Sequence, residues 1–307
     1  MDFPPDTIIV VDRSGSQQPF SKGLLASSVM AAVVAPASAH QIAAEVAGTL
    51  ARDGVKRITA DELAALTSRT IEALEGAGVA RRYDQWRQVT RSPKPLIVLL
   101  GGASGTGKST IATTLASRLS ITRVIPTDAV REVMRGFVPE TLVPELHRSS
   151  FEPPPDEPGA GFEAIYAGFR RQCQAVSAGV ARVVKRMVNE REDTIIEGVH
   201  VLPGLDIAAL TSTSAAIVVP ILLTVRDTAV HHAHFMHRLE THHGREPGRY
   251  LERLDTIRAI DQKLRSEAER HGVAIVDATF IDEALQHIVG LVLERARLHL
   301  DLEGGAS

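Results

Sequence analysis

The sequence predicts an α/β fold, a parallel sheet covered by helices, preceded by a small and mostly helical module. Three observations lead there. From Leu96 onward, short apolar runs of strand length alternate with stretches of helical apolar spacing, the pattern of a parallel sheet covered on both faces. A glycine-rich stretch, GGASGTGKST from Gly101 to Thr110, joins the first of those strands to the first of those helices. Residues 7–75 read instead as helices with only short strand-like pieces.

Taken in order, TIIVV is a short strand and DRSGSQQ a polar turn. SKGLLASSVMAAVV has helical spacing that Pro36 stops, and ASAHQIAAEVAGTLARDG is a second helix with Gly54 near its end. VKRIT is a short strand and ADELAALTSRTIEALEGAG a third helix. Residues 76–95 change character, bringing basic residues, the single tryptophan, Pro93 and Pro95, and read as a connecting helix and linker. The domain over 96–307 starts with the buried strand PLIVLLGG, the helix KSTIATTLASRL and the strand ITRVIPTD. Residues 129–190 are mainly helical around the loop FEPPPDEPGAG. TIIEG, AAIVVPILLTV and VAIVDA supply three more strands, a polar segment over 226–271 lies between the last two, and a helix closes the chain.

Composition narrows the function. A net charge of −3 over 307 residues and a pI near 6.5 give no electrostatic case for duplex nucleic acid. Cys173 is the only cysteine, which excludes a disulfide framework and a thiolate metal cluster. The longest apolar run holds Pro220 and stops at Arg226, short of the roughly 18–20 residues a membrane span needs. MDFPPDT lacks the basic start and apolar run of a secretory signal, so the expectation is a cytoplasmic protein with no membrane partner.

Gly102 to Ser109 reads GASGTGKS, which fits G-x-x-x-x-G-K-[ST] between a strand and a helix. Glycines let the backbone turn its N–H groups onto phosphate oxygens, and the helix N-terminus adds roughly half a positive charge there. Gly102, Ser104, Gly105, Thr106, Gly107, Lys108, Ser109 and Thr110 are therefore the expected nucleotide-binding residues of a P-loop NTPase-type sheet. Lys108 reaches the outer phosphates and the Ser109 hydroxyl binds Mg²⁺. ATP and Mg²⁺ are the expected cofactors.

On the acceptor side, VIPTDAVREVMR sets Asp128 at a strand end, with Arg131 and Arg135 four apart on one helix face. A carboxylate can orient an acceptor hydroxyl while guanidiniums grip an anionic group. A helix-capping aspartate beside a solvated basic face is the competing reading. Glu197 ends TIIEG, where it can hold a metal-bound water or be an ordinary strand-terminal residue. His200 is as well suited to loop packing as to substrate contact. The segment beginning at His231 packs six histidines into thirteen residues, with His231, His234, Arg238 and His242 near one helical face. Zinc binding, a solvated helix and a lid are the readings. In a lid, Arg238, Arg245 or Arg249 would meet the transferring phosphoryl group, and Arg238 is the catalytic candidate.

The series QPFSKGLLASSVMAA, RRYDQWR, LLGGASGTGKSTIA, VIPTDAVREVMR, LHRSSF, IIEGVHVLPG and RYLERLDTIRAI resembles 2-phosphoglycerate kinases over nearly the whole length. The resemblance implies phosphorylation of 2-phosphoglycerate by ATP. It places His147, Arg148 and Ser149 of LHRSSF in the acceptor pocket, and it makes residues 1–75 an ATP-cone-like module. In that module Arg13 and Lys22 are the basic residues near the first turn. Alternatives are a kinase of another small polyol or sugar acid, and a P-loop regulator that senses nucleotide without transferring phosphate. The expected partner is a small anionic hydroxy-acid.

Overall fold

Residues 4, 7–32, 34–153, 159, 161–204, 215–241 and 252–300 are described by the computed structural model, with backbone alone at 237–241 and 300. The chain divides into two compact units, the first made of Met1–Ser92 with Ser117–Ser120 and the second of Pro93–Ala116 and Ile121–Ser307.

In the first unit β1 (Ile9–Val11) pairs antiparallel with β2 (Gln17–Pro19) and parallel with β3 (Arg57–Thr59). Asp12 shapes the turn between β1 and β2, its Oδ1 accepting from the backbone N–H groups of Ser14 and Ser16. The sequence expectation of a turn over DRSGSQQ is met from Asp12 to Ser16, and only Gln17 and Gln18 pass into β2. Helix α1 (Lys22–Met30) is followed by α2 (Pro36–Arg52). Pro36 opens α2 at its first position, where a missing N–H costs nothing. Helix α3 (Ala60–Glu75) begins with a reciprocal cap: Thr59 Oγ1 accepts from Glu62 N while Glu62 takes the Thr59 N–H.

Gly76, at φ +89, ends α3 and at once starts α4 (Ala77–Thr90). The helix expected within 76–95 is therefore present as α4. Helix α4 packs against α3, and its Ala80 and Tyr83 lie in the same hydrophobic core as Val29, Ile42, Val46 and Ile71. The first unit therefore ends after α4, not at residue 75.

The second unit is a five-stranded parallel sheet: β4 (Leu96–Gly101), β5 (Arg123–Pro126), β6 (Thr194–Glu197), β7 (Ile217–Thr224) and β8 (Ala274–Asp277). Its spatial order is β5-β6-β4-β7-β8. Strand β4 is central and wholly buried, which is why its sequence is a continuous apolar run rather than an alternating one. The remaining elements are α5 (Lys108–Leu119), α6 (Thr127–Arg135), a 3₁₀ turn (Pro144–His147), α7 (Phe162–Glu190), α8 (Thr228–Thr241), α9 (Leu254–His271) and α10 (Ile281–Leu300). Of the proline-rich stretch, residues 154–158 and 160 lie outside the described residues. No helix among the described residues is long and apolar enough to cross a membrane.

Parallel strands deliver all their C-terminal ends to one edge of the sheet, where ligands bind in folds of this kind. Gly101, Pro126, Glu197 and Thr224 mark that edge.

Candidate active site

The glycine-rich loop leaves β4 at the centre of this edge. Gly102 has φ +147, and a Cβ there would lie 2.4 Å from Leu223 O. Gly105 has φ +81, and a Cβ there would meet the Phe235 ring at 2.5 Å. Side chains are thus refused at both positions, by conformation and by space. Thr106 Oγ1 donates to Ala103 O at 3.0 Å and Lys108 Nζ donates to the same carbonyl at 2.6 Å, drawing the loop closed over the start of α5. Lys108 is buried although charged, and Ser104 and Thr110 lie on the same loop and first helical turn.

Ser109 Oγ donates to Glu197 Oε1 at 2.9 Å. These two residues stand 88 positions apart in the chain and meet because β4 and β6 are neighbours, with Leu100 opposite Glu197. Glu197 is also the register partner of Pro126, so Asp128 follows two residues beyond it on the next strand's exit. The phosphate loop, the Glu197 carboxylate and the start of α6 are consequently adjacent along the sheet edge.

Asp128 sits in the first turn of α6 behind Pro126, which occupies the cap position, so capping is not its role. Its side chain is half exposed, with Oδ1 3.9 Å from His200 Nδ1. His200 itself is enclosed between Thr127 Oγ1 at 2.9 Å and Gln172 Oε1 at 3.2 Å. Gln172 donates through Nε2 to the carbonyls of Glu145 and Arg148. Its Oε1 must then accept from His200 Nε2–H, which leaves Nδ1 to accept the Thr127 hydroxyl. A neutral imidazole fits this chain of bonds. Burial pushes the His200 ring down to about 4, outweighing the nearby Asp128 carboxylate.

The basic residues expected on the acceptor side have these partners. Arg131 donates Nε to Leu146 O at 2.7 Å and Nη2 to Arg148 O, so two arms of its fork serve the backbone of the LHRSSF turn. Arg135 pairs with Glu132 at 2.8 Å, one turn of the same helix away. Arg131 thus braces the turn, while Arg135, besides its bond to Glu132, has a buried Nε with no hydrogen-bond partner among the described residues. In that turn His147 Nε2 bonds Val138 O at 2.9 Å, and the Ser149 backbone N–H donates to Glu152. Arg148 carries a buried Nε with no hydrogen-bond partner among the described residues.

On the opposite side of the loop, α8 brings His231 Nε2 to 2.8 Å from Ser104 O and His234 Nδ1 to 3.0 Å from Gly105 O. Arg258, on α9, lies 3.4 Å from His231 Nδ1 and donates to Arg226 O. Asp261 on the same helix accepts from Thr224 Oγ1 at 2.7 Å, and burial raises its carboxyl above the usual range. Sequence reasoning missed Gln172, Thr127, Arg258 and Asp261. Arg258 and Asp261 fall in or next to RYLERLDTIRAI, and that stretch was the only available signal. The side chain of Arg238 and all of Arg245, Arg249 and His242 lie outside the described residues. Among the described residues no cluster of three His, Cys, Asp or Glu side chains could hold a metal ion; the side chain of His237 and all of His242 and His243 lie outside them.

In the first unit, Arg13 donates to Asp61 at 3.0 Å, and Asp61 also pairs with Arg87 and Arg91. Hydrogen bonding to Arg13 leads the effects that hold the Asp61 carboxyl below its usual range.

Comparison with known proteins matches residues 8–92 to the ATP cone domain, an extent that includes α4. Over 284 residues, 90% of this chain and 84% of the relative, the sequence is 36% identical to 2-phosphoglycerate kinase of Methanopyrus kandleri. It is 35% identical to the enzyme of Methanothermobacter thermautotrophicus over 89% of both chains. It is 34% identical to that of Methanocaldococcus jannaschii over 99% of this chain and 96% of the relative.

Proposed function

The chain belongs to the 2-phosphoglycerate kinase family, and from that premise we propose that it transfers the γ-phosphoryl group of ATP to the free hydroxyl of 2-phosphoglycerate, giving 2,3-bisphosphoglycerate. The observation that carries this reading at the level of residues is the Ser109–Glu197 bond, which sets the phosphate loop beside the strand exit bearing Asp128.

In the proposed step the acceptor hydroxyl oxygen bonds to the γ-phosphorus, the bond from that phosphorus to the β–γ bridging oxygen breaks, and ADP leaves. Asp128, half exposed at the start of α6, takes the hydroxyl proton. Lys108 and the N–H groups opening α5 hold the phosphate charge, so catalysis here is mainly positioning and charge stabilisation. Arg148, with its buried and unpartnered Nε, holds an anionic group of the acceptor. The hydroxyl of Ser109 and the carboxylate of Glu197 converge as hard oxygen donors and suit Mg²⁺, which keeps most of its waters in such sites. When bound there, Mg²⁺ supplies neutralisation of the phosphate oxygens.

The test is ATP turnover against a panel of phosphorylated and plain hydroxy-acids, with product identified by mass spectrometry. 2,3-Bisphosphoglycerate as the preferred product supports the reading, and preference for another polyol or sugar acid replaces the acceptor. Lys108→Ala should lower turnover on the order of 10²–10³-fold without unfolding the protein. Normal turnover in a folded Lys108→Ala variant would end the kinase reading.

A further inference from the structure

The histidine-rich segment finds a use in the structure that is neither metal binding nor solvation. We propose that His231 and His234 are positioning residues for the phosphate loop: each captures one loop carbonyl and thereby orients the N–H groups of Gly105 and Thr106 for the nucleotide. The inference rests on the kinase reading only in taking that ligand to be ATP.

No peptide bond among the described residues is cis, and in a planar trans unit the C=O and the next residue's N–H point in opposite directions. His231 Nε2 meets Ser104 O at 2.8 Å, and that carbonyl shares a unit with the Gly105 N–H. His234 Nδ1 meets Gly105 O at 3.0 Å, and that carbonyl shares a unit with the Thr106 N–H. A carbonyl oxygen only accepts, so both ring nitrogens donate. Two carbonyls that would repel a phosphate are thus turned toward α8, and their N–H groups are turned away from it.

Residues 231 and 234 are three apart, so one helix face supplies both donors to consecutive peptide units. The helix is pressed close to the loop: a Cβ on Gly105 would fall 2.9 Å from His231 Nε2. His231 is fully buried and stacks on Phe235 with ring centroids 5.2 Å apart, which removes rotamers that would miss the carbonyl. Arg258, at 3.4 Å, faces Nδ1 with a guanidinium that can only donate, so Nδ1 must accept and the proton stays on Nε2. Burial, reinforced by Arg258, His234 and Lys108, outweighs the hydrogen bond to Ser104 and holds the His231 ring below the usual imidazole range. Every neighbour therefore favours the one tautomer that can hold the loop.

The two rings donate from different nitrogens, and that difference supplies the experiment. A glutamine amide reaches about as far as imidazole Nε2 and an asparagine amide about as far as Nδ1. His231→Gln and His234→Asn should bind Mg-ATP nearly as the wild type does, whereas His231→Asn and His234→Gln should each weaken it roughly tenfold. His231→Leu and His234→Leu should show the same loss, with the KM for the acceptor unchanged. Binding is read by titration with an ATP analogue carrying a non-hydrolysable β–γ bridge, counting only the binding that Lys108→Ala removes. Thermal melts run in parallel, and should the leucine variants fail to fold, the amide pairs still decide the matter. Equal nucleotide affinity in matched and crossed amide variants would overturn the proposal and leave α8 as packing alone. Wild-type protein that binds the analogue yet phosphorylates no hydroxy-acid would instead overturn the proposed function, with the amide comparison still readable.

Discussion

At the scale of single residues, Asp128 and His200 are neighbours with opposite surroundings. Asp128 is half exposed, and with the role proposed for it on the acceptor hydroxyl, Asp128→Asn should lower kcat far more than it raises the KM for ATP. Steady-state kinetics with both substrates varied will decide; a defect confined to ATP affinity would move Asp128 to the nucleotide site. His200 is buried and neutral, its ring brought by burial to about 4 from an ordinary 6.5. The folded state therefore binds fewer protons than the unfolded chain between those values, and stability falls as pH drops from about 6.5 to about 4. The loss should be on the order of 2–3 kcal/mol, seen in urea unfolding across that range. His200→Gln should flatten the slope, and an unchanged slope would mean that His200 is not its source. Of this pair the sequence made Asp128 legible, through its place at a strand exit. The Thr127–His200–Gln172 chain was not, because its partners are 73 and 28 residues apart and only the packed sheet and α7 bring them together.

At the scale of elements, the phosphate loop was readable because its chemistry is local: strand, glycines, lysine and helix are consecutive. The LHRSSF turn is legible as a motif, from Leu146 to Phe151, yet its construction is not. It hangs from α6 through Arg131 and from α7 through Gln172, and both give hydrogen bonds to its carbonyls. Arg131→Ala should therefore raise the acceptor KM severalfold by loosening the turn, with ATP KM little changed. Arg131→Lys should not restore it, since one ammonium cannot reproduce the forked contact with two carbonyls. Rescue by lysine would show that charge rather than geometry matters and would return Arg131 to the acceptor itself. Helical projection likewise grouped His231 with His234, but nothing in the local pattern says that this face meets two loop carbonyls.

At the scale of the whole molecule, alternating strands and helices gave the parallel sheet, while the boundary of the first unit was misread at the glycines after α3. Gly76 looks like the end of a domain, but its φ of +89 only turns the chain from one packed helix into the next. The core of the first unit runs from Val10 to Tyr83, so its last helix is structural to it. That fixes where the chain can be cut. Protein beginning at residue 93 loses one complete core, and should stay soluble and transfer phosphate. Protein beginning at residue 76 keeps α4 but loses α3 and the rest of that core, leaving Ala80 and Tyr83 without their partners. Trp86, the only tryptophan and 4% exposed, reports the difference directly. In protein beginning at residue 76 its emission should shift to the red, with aggregation on warming, while the full chain keeps a buried-tryptophan spectrum. If protein from residue 93 proves insoluble and protein from residue 76 is soluble with Trp86 still buried, α4 belongs to the second unit after all.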